Sequence, residues 1–204
     1  RTHFECYNFI KEDEEDEGKS FQVKPFMIWR SDIRRNTFHQ IVFDPSGQET
    51  GSYNLWRGYK ITEAVCQSYD ESDCQVILDH IFNIWADGDP DRYEYILNWF
   101  AWKLQKPDKK MAVVICLNSG EGAGKNIILN HLYKIMGSNY DSISSAKSIL
   151  GDFNGVLEAR TLINFDEVTY GGNHEKNNQL KSLISEDYVF INKKNKEMYR
   201  IRAM

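Results

Sequence analysis

The stretch MAVVICLNSGEGAGKN, residues 111–126, decides the fold of this chain. It joins a continuous apolar run, residues 111–117, to a glycine-rich turn that ends in Gly124 and Lys125. An apolar run of this length is typical of a parallel strand that is buried on both faces. Apolar residues then recur at helical spacing from Ile127 to Met136. The stretch therefore predicts a strand, a glycine-rich turn and an amphipathic helix in succession.

This succession is the context that a phosphate-binding loop requires. Glycines allow successive backbone N–H groups to converge on a phosphate, and the N-terminus of the following helix adds the positive end of its dipole. Lys125 is the predicted catalytic cation, because its ammonium can neutralise the β and γ phosphates of ATP. The predicted nucleotide-binding residues are Ser119, Gly120, Glu121, Gly122, Ala123, Gly124, Lys125 and Asn126.

Two residues of the loop depart from the usual pattern. Ser119 stands where the first glycine is usual, and Asn126 stands where a serine or threonine usually follows the lysine. Asn126 can offer only a carboxamide oxygen to Mg²⁺. It is therefore a metal-ligand candidate whose ligation the sequence leaves open.

A second motif lies further along the chain, where the run Leu162–Phe165 ends in the adjacent acids Asp166 and Glu167. Two carboxylates at a strand end repel each other unless a cation lies beside them. We therefore predict that Asp166 holds Mg²⁺ and that Glu167 is catalytic, orienting and deprotonating the attacking water. Together with the glycine-rich turn, the acid pair predicts a P-loop nucleoside triphosphatase with ATP and Mg²⁺ as cofactors.

The first half of the chain has a different pattern. Short strand-like pieces at residues 21–29 and 38–43 precede apolar residues at helical spacing over 76–85 and again over 93–104. These two periodic segments predict a helical hairpin that ends at Pro107. The predicted architecture is α/β: a smaller, mixed α+β and largely helical accessory domain over 1–107, and a P-loop ATPase domain over 108–204 that we expect to be truncated at its C-terminal end.

The net charge of −5 comes from 30 acidic and 25 basic residues. A negative total argues against a protein that holds phosphate backbones, but it is unevenly distributed. Six acids occupy residues 12–17, a run that we expect to be a solvated loop. Residues 1–107 hold twelve basic and nineteen acidic residues, whereas residues 108–204 hold thirteen and eleven. The total therefore leaves nucleic acid possible as a ligand of the second half.

The chain has no apolar run long enough for a transmembrane helix, so we expect no membrane contact and a cytoplasmic location. Its four cysteines lack a C-x-x-C pair. Such scattered cysteines indicate reduced, buried thiols rather than a disulfide framework.

The order of the motifs resembles that of the superfamily 3 helicase domain of phage and viral primase-helicases, and most closely the helicase part of phage primase-polymerases. The residues that carry the resemblance are the glycine-rich loop, Gly151, Asp152, Phe153, Asn154 and Leu157, then Phe165, Asp166 and Glu167, then residues 180–184 and a basic stretch, with Asn54, Leu55, Trp56, Arg57, Gly58 and Tyr59 upstream.

The resemblance implies an AAA+-like fold, a homo-oligomeric ring of six subunits, and ATP-driven movement along single-stranded or forked DNA. It also implies a primase or polymerase domain upstream in the same full-length chain. Residues 181–196 match the segment that carries the family's DNA-contacting hairpin, with a strand at 189–191 and a tip at 192–196. The DNA-binding candidates are Lys193, Lys194 and Lys196.

Two alternatives stay open. A nucleotide-dependent DNA-binding or assembly module without efficient hydrolysis would fit Ser119 and Asn126. We expect the family's sensor asparagine and arginine finger to lie beyond Met204, which would fit such a module as well. Arg200 and Arg202 fit a strand after the hairpin better than they fit an arginine finger. A P-loop kinase for a small molecule is the other alternative, and the Asp166–Glu167 pair argues against it.

Overall fold

The computed structural model describes residues 9–12, 20–23, 25–61, 67, 70–120, 122–166 and 174–204. The chain divides into two compact units, one of Arg1–Gln40 with Gly51–Tyr53 and the other of Ile41–Thr50 with Asn54–Met204. Both helices and small sheets are present, so the predicted mixed α/β class is confirmed. Among the described residues, no helix is long and apolar enough to cross a bilayer.

The first unit contains an antiparallel pair, β1 (Phe9–Glu12) and β2 (Ser20–Val23), followed by helix α1 (Pro25–Ser31). The expectation of strand-like structure over 21–29 is therefore wrong for residues 25–29, which are helical. Pro25 opens the helix because its ring presets the helical φ and the first turn needs no N–H from it. The predicted loop over the acidic run lies outside the described residues, apart from Glu12.

Two short strands, β3 (Ile41–Val42) and β4 (Tyr53–Asn54), come next. A turn lies between them: Gly47 N donates to Asp44 O over 3.3 Å, and the Asp44 carboxylate accepts from the backbone N of Ser46 and of Glu49, each over 2.9 Å. An aspartate that accepts from the backbone two residues on is a common way to fix such a turn.

The predicted helical hairpin is confirmed. A 3₁₀ turn (Glu71–Cys74) leads into helix α2 (Gln75–His80), which continues as a π-helical segment (Ile81–Trp85). Helix α3 (Pro90–Gln105) follows, and Asp89 caps it by accepting from Asp91 N and Arg92 N.

The remaining chain alternates helices and strands. Helix α4 (Lys125–Met136) follows the glycine-rich loop, and strands β5 (Tyr140–Ile143) and β6 (Leu162–Phe165) pair in parallel. Strands β7 (Tyr188–Ile191) and β8 (Tyr199–Arg202) form an antiparallel hairpin, as expected for residues 189–196. The other elements are a 3₁₀ turn (Gly137–Asn139), helix α5 (Lys147–Leu150), a second 3₁₀ turn (Gly155–Leu157) and helix α6 (His174–Ser185).

The expected strand over residues 111–117 is not formed, because no described strand offers it a hydrogen-bonded neighbour. The segment is also only half covered: Val113 and Val114 are 47% and 49% exposed. The exposed thiol of Cys116, with that of Cys74, likewise corrects the expectation of buried cysteines. The apolar residues of the segment therefore pack on one face only and are not buried on both faces.

A hydrophobic cluster joins the helical hairpin to α4. Ile81, Trp85, Ala86 and Ile96 of the helical hairpin pack with Ile128 and Leu132 of α4. Ile115, Leu117 and Leu162 pack against the same cluster. Residues on both sides of position 107 thus share one core, while the division into two domains at that position stays a prediction.

Candidate functional site

The glycine-rich loop turns sharply at two glycines. Gly122 has φ +73° and Gly124 has φ +79°, in the left-handed region that glycine enters without strain. Gly124 is the N-cap residue of α4 and has no side chain to accept hydrogen bonds from the first helical turn. The loop therefore leads directly into a helix N-terminus, where backbone N–H groups favour an anion.

Lys125 reaches back over this loop. Its Nζ donates to Ser119 Oγ over 2.8 Å, and to the carbonyl oxygens of Ser119 and Gly120 over 3.3 Å each. The ammonium is thus shared among neutral acceptors, none of which carries a charge. A charged acceptor such as a phosphate makes shorter and stronger hydrogen bonds with an ammonium than these do.

The other described loop residues differ in exposure. Ala123 is half-buried, and Asn126 is exposed on the first turn of α4. Glu121 lies outside the described residues. The structure thus brings Ser119, Gly120 and Lys125 together around one ammonium group.

A histidine that the sequence did not indicate also contacts the loop. His80, at the end of α2, has its Nε2 3.1 Å from Gly124 O. A Cβ on Gly124 would lie only 2.9 Å from His80 Cε1. The imidazole therefore occupies the space that the missing side chain leaves. The two residues are 44 positions apart, so no local spacing connects them.

The strand that carries Asp166 is built on the same core as the loop. Leu162 of β6 packs on the cluster that contains Ile128 and Leu132 of α4. Asp166 N donates to Ile143 O over 2.9 Å, which extends the parallel pairing to the end of the strand. The polar interruption at Asn164 is explained as well, since its Nδ2 donates to Ser142 Oγ across the pair.

The residues predicted to hold Mg²⁺ are only partly described. Asp166 and Asn126 supply the oxygen donors that Mg²⁺ prefers, whereas Glu167 lies outside the described residues. Within the described part of the chain, no three His, Cys, Asp or Glu side chains cluster as a metal site. The magnesium site stays a prediction.

The lysines of the hairpin tip differ from one another. Lys193 forms an ion pair with Glu158, and Tyr199 Oη donates to the same carboxylate. Burial raises the pKa of Glu158, but the hydrogen bonds from Lys193 and Tyr199 outweigh it and hold that pKa below its usual value. Lys194 and Lys196 are exposed. Two of the three predicted DNA-binding lysines thus face solvent, and the third is engaged within the fold.

The motif Gly151–Asn154 holds the hairpin in place. Asn154 Nδ2 donates to Phe190 O over 2.8 Å, and Asn154 Oδ1 accepts from Asn192 N over 2.8 Å. Asn192 Nδ2 in turn donates to Asp152 O over 2.6 Å. Next along the chain, a Cβ on Gly155 would lie 3.0 Å from Lys193 Cγ. The family resemblance singled out this motif but did not predict its structural role, because the hydrogen-bond partners of the motif lie almost forty residues away.

Comparison with known proteins gives a likeness of fold over nearly the whole chain. A family model described as a family of unknown function (DUF5906) matches residues 117–204. No curated protein matches the chain. The chain is similar to an apo structure of the NrS-1 C-terminal region, with 18% identity and a TM-score of 0.67, covering 91% of this chain and 48% of that chain. An A-form apo structure of the region gives 18% identity and a TM-score of 0.65, covering 98% and 50%. The chain thus shares the fold of these solved chains and spans about half their length.

Proposed function

We propose that this chain is the ATP-hydrolysing motor of a phage or viral replication protein, a superfamily 3 helicase that moves along single-stranded DNA. The observation that carries the proposal is the set of hydrogen bonds from Lys125 Nζ to Ser119 and Gly120. A lysine folded over a glycine-rich turn at a helix N-terminus is prepared to exchange neutral acceptors for phosphate oxygens. ATP binding would make that exchange.

Hydrolysis requires more than phosphate binding. In this proposal Asp166 and Asn126 hold Mg²⁺, which would supply charge neutralisation at the phosphates. Glu167 orients the attacking water and accepts its proton. The position of Asp166 directly after β6, on the core that also supports α4, favours this assignment.

DNA binding and assembly are proposed on the motif order and on the likeness of fold. The hairpin of β7 and β8 would face the channel of a six-membered ring, where Lys194 and Lys196 meet phosphates. An upstream primase or polymerase domain would belong to the same full-length protein. The excess of basic over acidic residues in 108–204 supports contact with a polyanion.

ATP hydrolysis with and without single-stranded DNA tests the proposal. We expect DNA-stimulated phosphate release from a full-length protein that contains this chain. Lys125→Ala should weaken ATP binding at least about tenfold and abolish release, and Glu167→Gln should abolish release while leaving ATP binding intact. Phosphoryl transfer from ATP to a small molecule, independent of DNA, would contradict a helicase and favour the kinase alternative.

A second candidate function is a nucleotide-dependent assembly module that binds ATP without efficient turnover. Asn126, exposed where a hydroxyl would usually meet Mg²⁺, favours it. Tight ATP binding without phosphate release in the full-length protein would select this candidate. Asn126→Thr would then be expected to raise the hydrolysis rate.

A further inference from the structure

The β7–β8 hairpin has one face that is not used for packing. Tyr188 pairs with Arg202 and Phe190 pairs with Arg200 across the two strands. Because side chains alternate along a strand and cross-strand partners share a face, these four residues lie together. All four are exposed, Tyr188 at 52% and Phe190 at 60%. We name this surface the aromatic–arginine face.

The opposite face of the hairpin accounts for its packing. Ile191 is fully buried there, and Val189, Tyr199 and Ile201 are half-buried. Burial of this inner face therefore supplies the hydrophobic stabilisation that holds the hairpin in place. The exposed aromatic rings do not contribute to it.

The aromatic–arginine face is preorganised. The guanidinium carbon of Arg200 lies 4.5 Å from the centroid of the Tyr188 ring, a cation–π contact. Neither Arg200 nor Arg202 has a carboxylate partner among the described residues. The face thus combines two exposed rings with two positive charges that no acid of the described residues pairs with.

The hairpin is also held rigidly behind this face. Asn154 donates to Phe190 O, on the strand that carries both aromatic residues, and accepts from Asn192 N, just beyond that strand. Lys193 and Tyr199 converge on Glu158 from the hairpin's inner side. These contacts fix the orientation of the strands while leaving the four side chains free to meet a ligand.

We propose that the aromatic–arginine face binds single-stranded nucleic acid, with bases stacking on Phe190 and Tyr188 and phosphates contacting Arg200 and Arg202. Rings interleaved with cations match a strand whose unpaired bases and charged backbone are both accessible. Charge complementarity favours this polyanion over an apolar protein partner. The inference deepens the proposed function, on which it rests, by adding the strands of the hairpin to the contact that the lysine tip makes.

The test measures binding of a labelled oligothymidylate by fluorescence anisotropy, without nucleotide and at several salt concentrations. Phe190→Ala and Tyr188→Ala should each weaken binding about tenfold and leave the salt dependence unchanged. Removing Arg200 or Arg202 should weaken binding and reduce the slope of log K against log salt by about 0.7. Lys134→Ala, which removes an exposed lysine of α4 outside the hairpin, is the charge control, and it should change affinity less than Arg200→Ala does.

An oligonucleotide without bases separates stacking from charge. Phe190→Ala should bind this abasic strand as tightly as the wild type does, while Arg200→Ala should bind it more weakly. Equal affinity of all four variants and the wild type for oligothymidylate would overturn the inference. So would a change of oligomeric mass in the variants with DNA affinity unchanged, because the face would then be a contact between subunits.

This test and that of the proposed function can fail independently. DNA binding without nucleotide does not depend on hydrolysis, and Lys125→Ala should retain it. If the wild type releases no phosphate but the face variants lose DNA, the motor function fails and the DNA-binding face stands. If phosphate release is DNA-stimulated and is lost in Arg200→Ala at full DNA affinity, the arginine serves a neighbouring nucleotide site and the inference fails.

Discussion

Gly124 links two features of the loop, its left-handed turn and its contact with His80. Gly124→Ala would place a methyl group 2.9 Å from His80 Cε1 at φ +79°. We expect a loss of about 2–3 kcal/mol in the free energy of unfolding, of which about 1–2 kcal/mol is backbone strain. Urea unfolding measures this loss.

A matched glycine separates the two causes. Gly122 has φ +73°, and a methyl group added to it would meet no atom within 4 Å, so Gly122→Ala should show only the backbone strain. In the double variant that adds His80→Ala to Gly124→Ala, the free energy of unfolding should recover by about 1 kcal/mol, because the two sites are coupled. Equal losses for Gly122→Ala and Gly124→Ala would mean that His80 does not restrict the loop.

At the scale of elements, helix α3 buries a lysine beside the turn that follows it. Lys103 is only 3% exposed, and its Nζ donates to Lys109 O over 2.8 Å. Burial lowers the pKa of Lys103 to about 8, although Asp108 opposes this. The fold therefore disfavours the charged ammonium of Lys103 relative to the neutral amine.

This burial predicts how stability depends on pH. Between pH 8 and the ordinary lysine pKa of 10.5, the unfolded chain binds a proton that the folded chain lacks. Stability should therefore rise with pH over that window, by about 3 kcal/mol at about 1.4 kcal/mol per pKa unit. Lys103→Met should remove this rise in urea unfolding, and the exposed control Lys106→Met should keep it. A rise that persists in Lys103→Met would show that another group causes it.

Local sequence patterns predicted the elements whose causes are local. The spacing of apolar residues predicted the helical hairpin and α4. The strand expected over 111–117 failed because a strand also needs a neighbour, which an apolar run cannot specify. For the same reason the partners of Asn154 and of His80 were not predictable, since both contacts join residues distant in sequence.

At the scale of the whole molecule, acidic and basic residues are unevenly distributed along the chain. The acidic excess belongs to residues 1–107, and the cations of the two proposed sites lie on the loop and on the hairpin of the second half. The candidate site was predictable in its chemistry, because Lys125 and Asp166 follow recognisable patterns. The aromatic–arginine face was not predictable from the sequence. The lysine-rich tip suggested that Lys193 binds DNA, whereas Lys193 forms an ion pair with Glu158.

Direct titration of the chain with ATP and Mg²⁺ by calorimetry tests whether the loop around Lys125 binds nucleotide. We predict one saturable site, weakened at least about tenfold in Lys125→Ala because a charge-assisted hydrogen bond to phosphate is lost. Lys134→Ala, an exposed lysine on the same helix, should bind as the wild type does. Equal affinity of the wild type and Lys125→Ala for ATP would contradict the account.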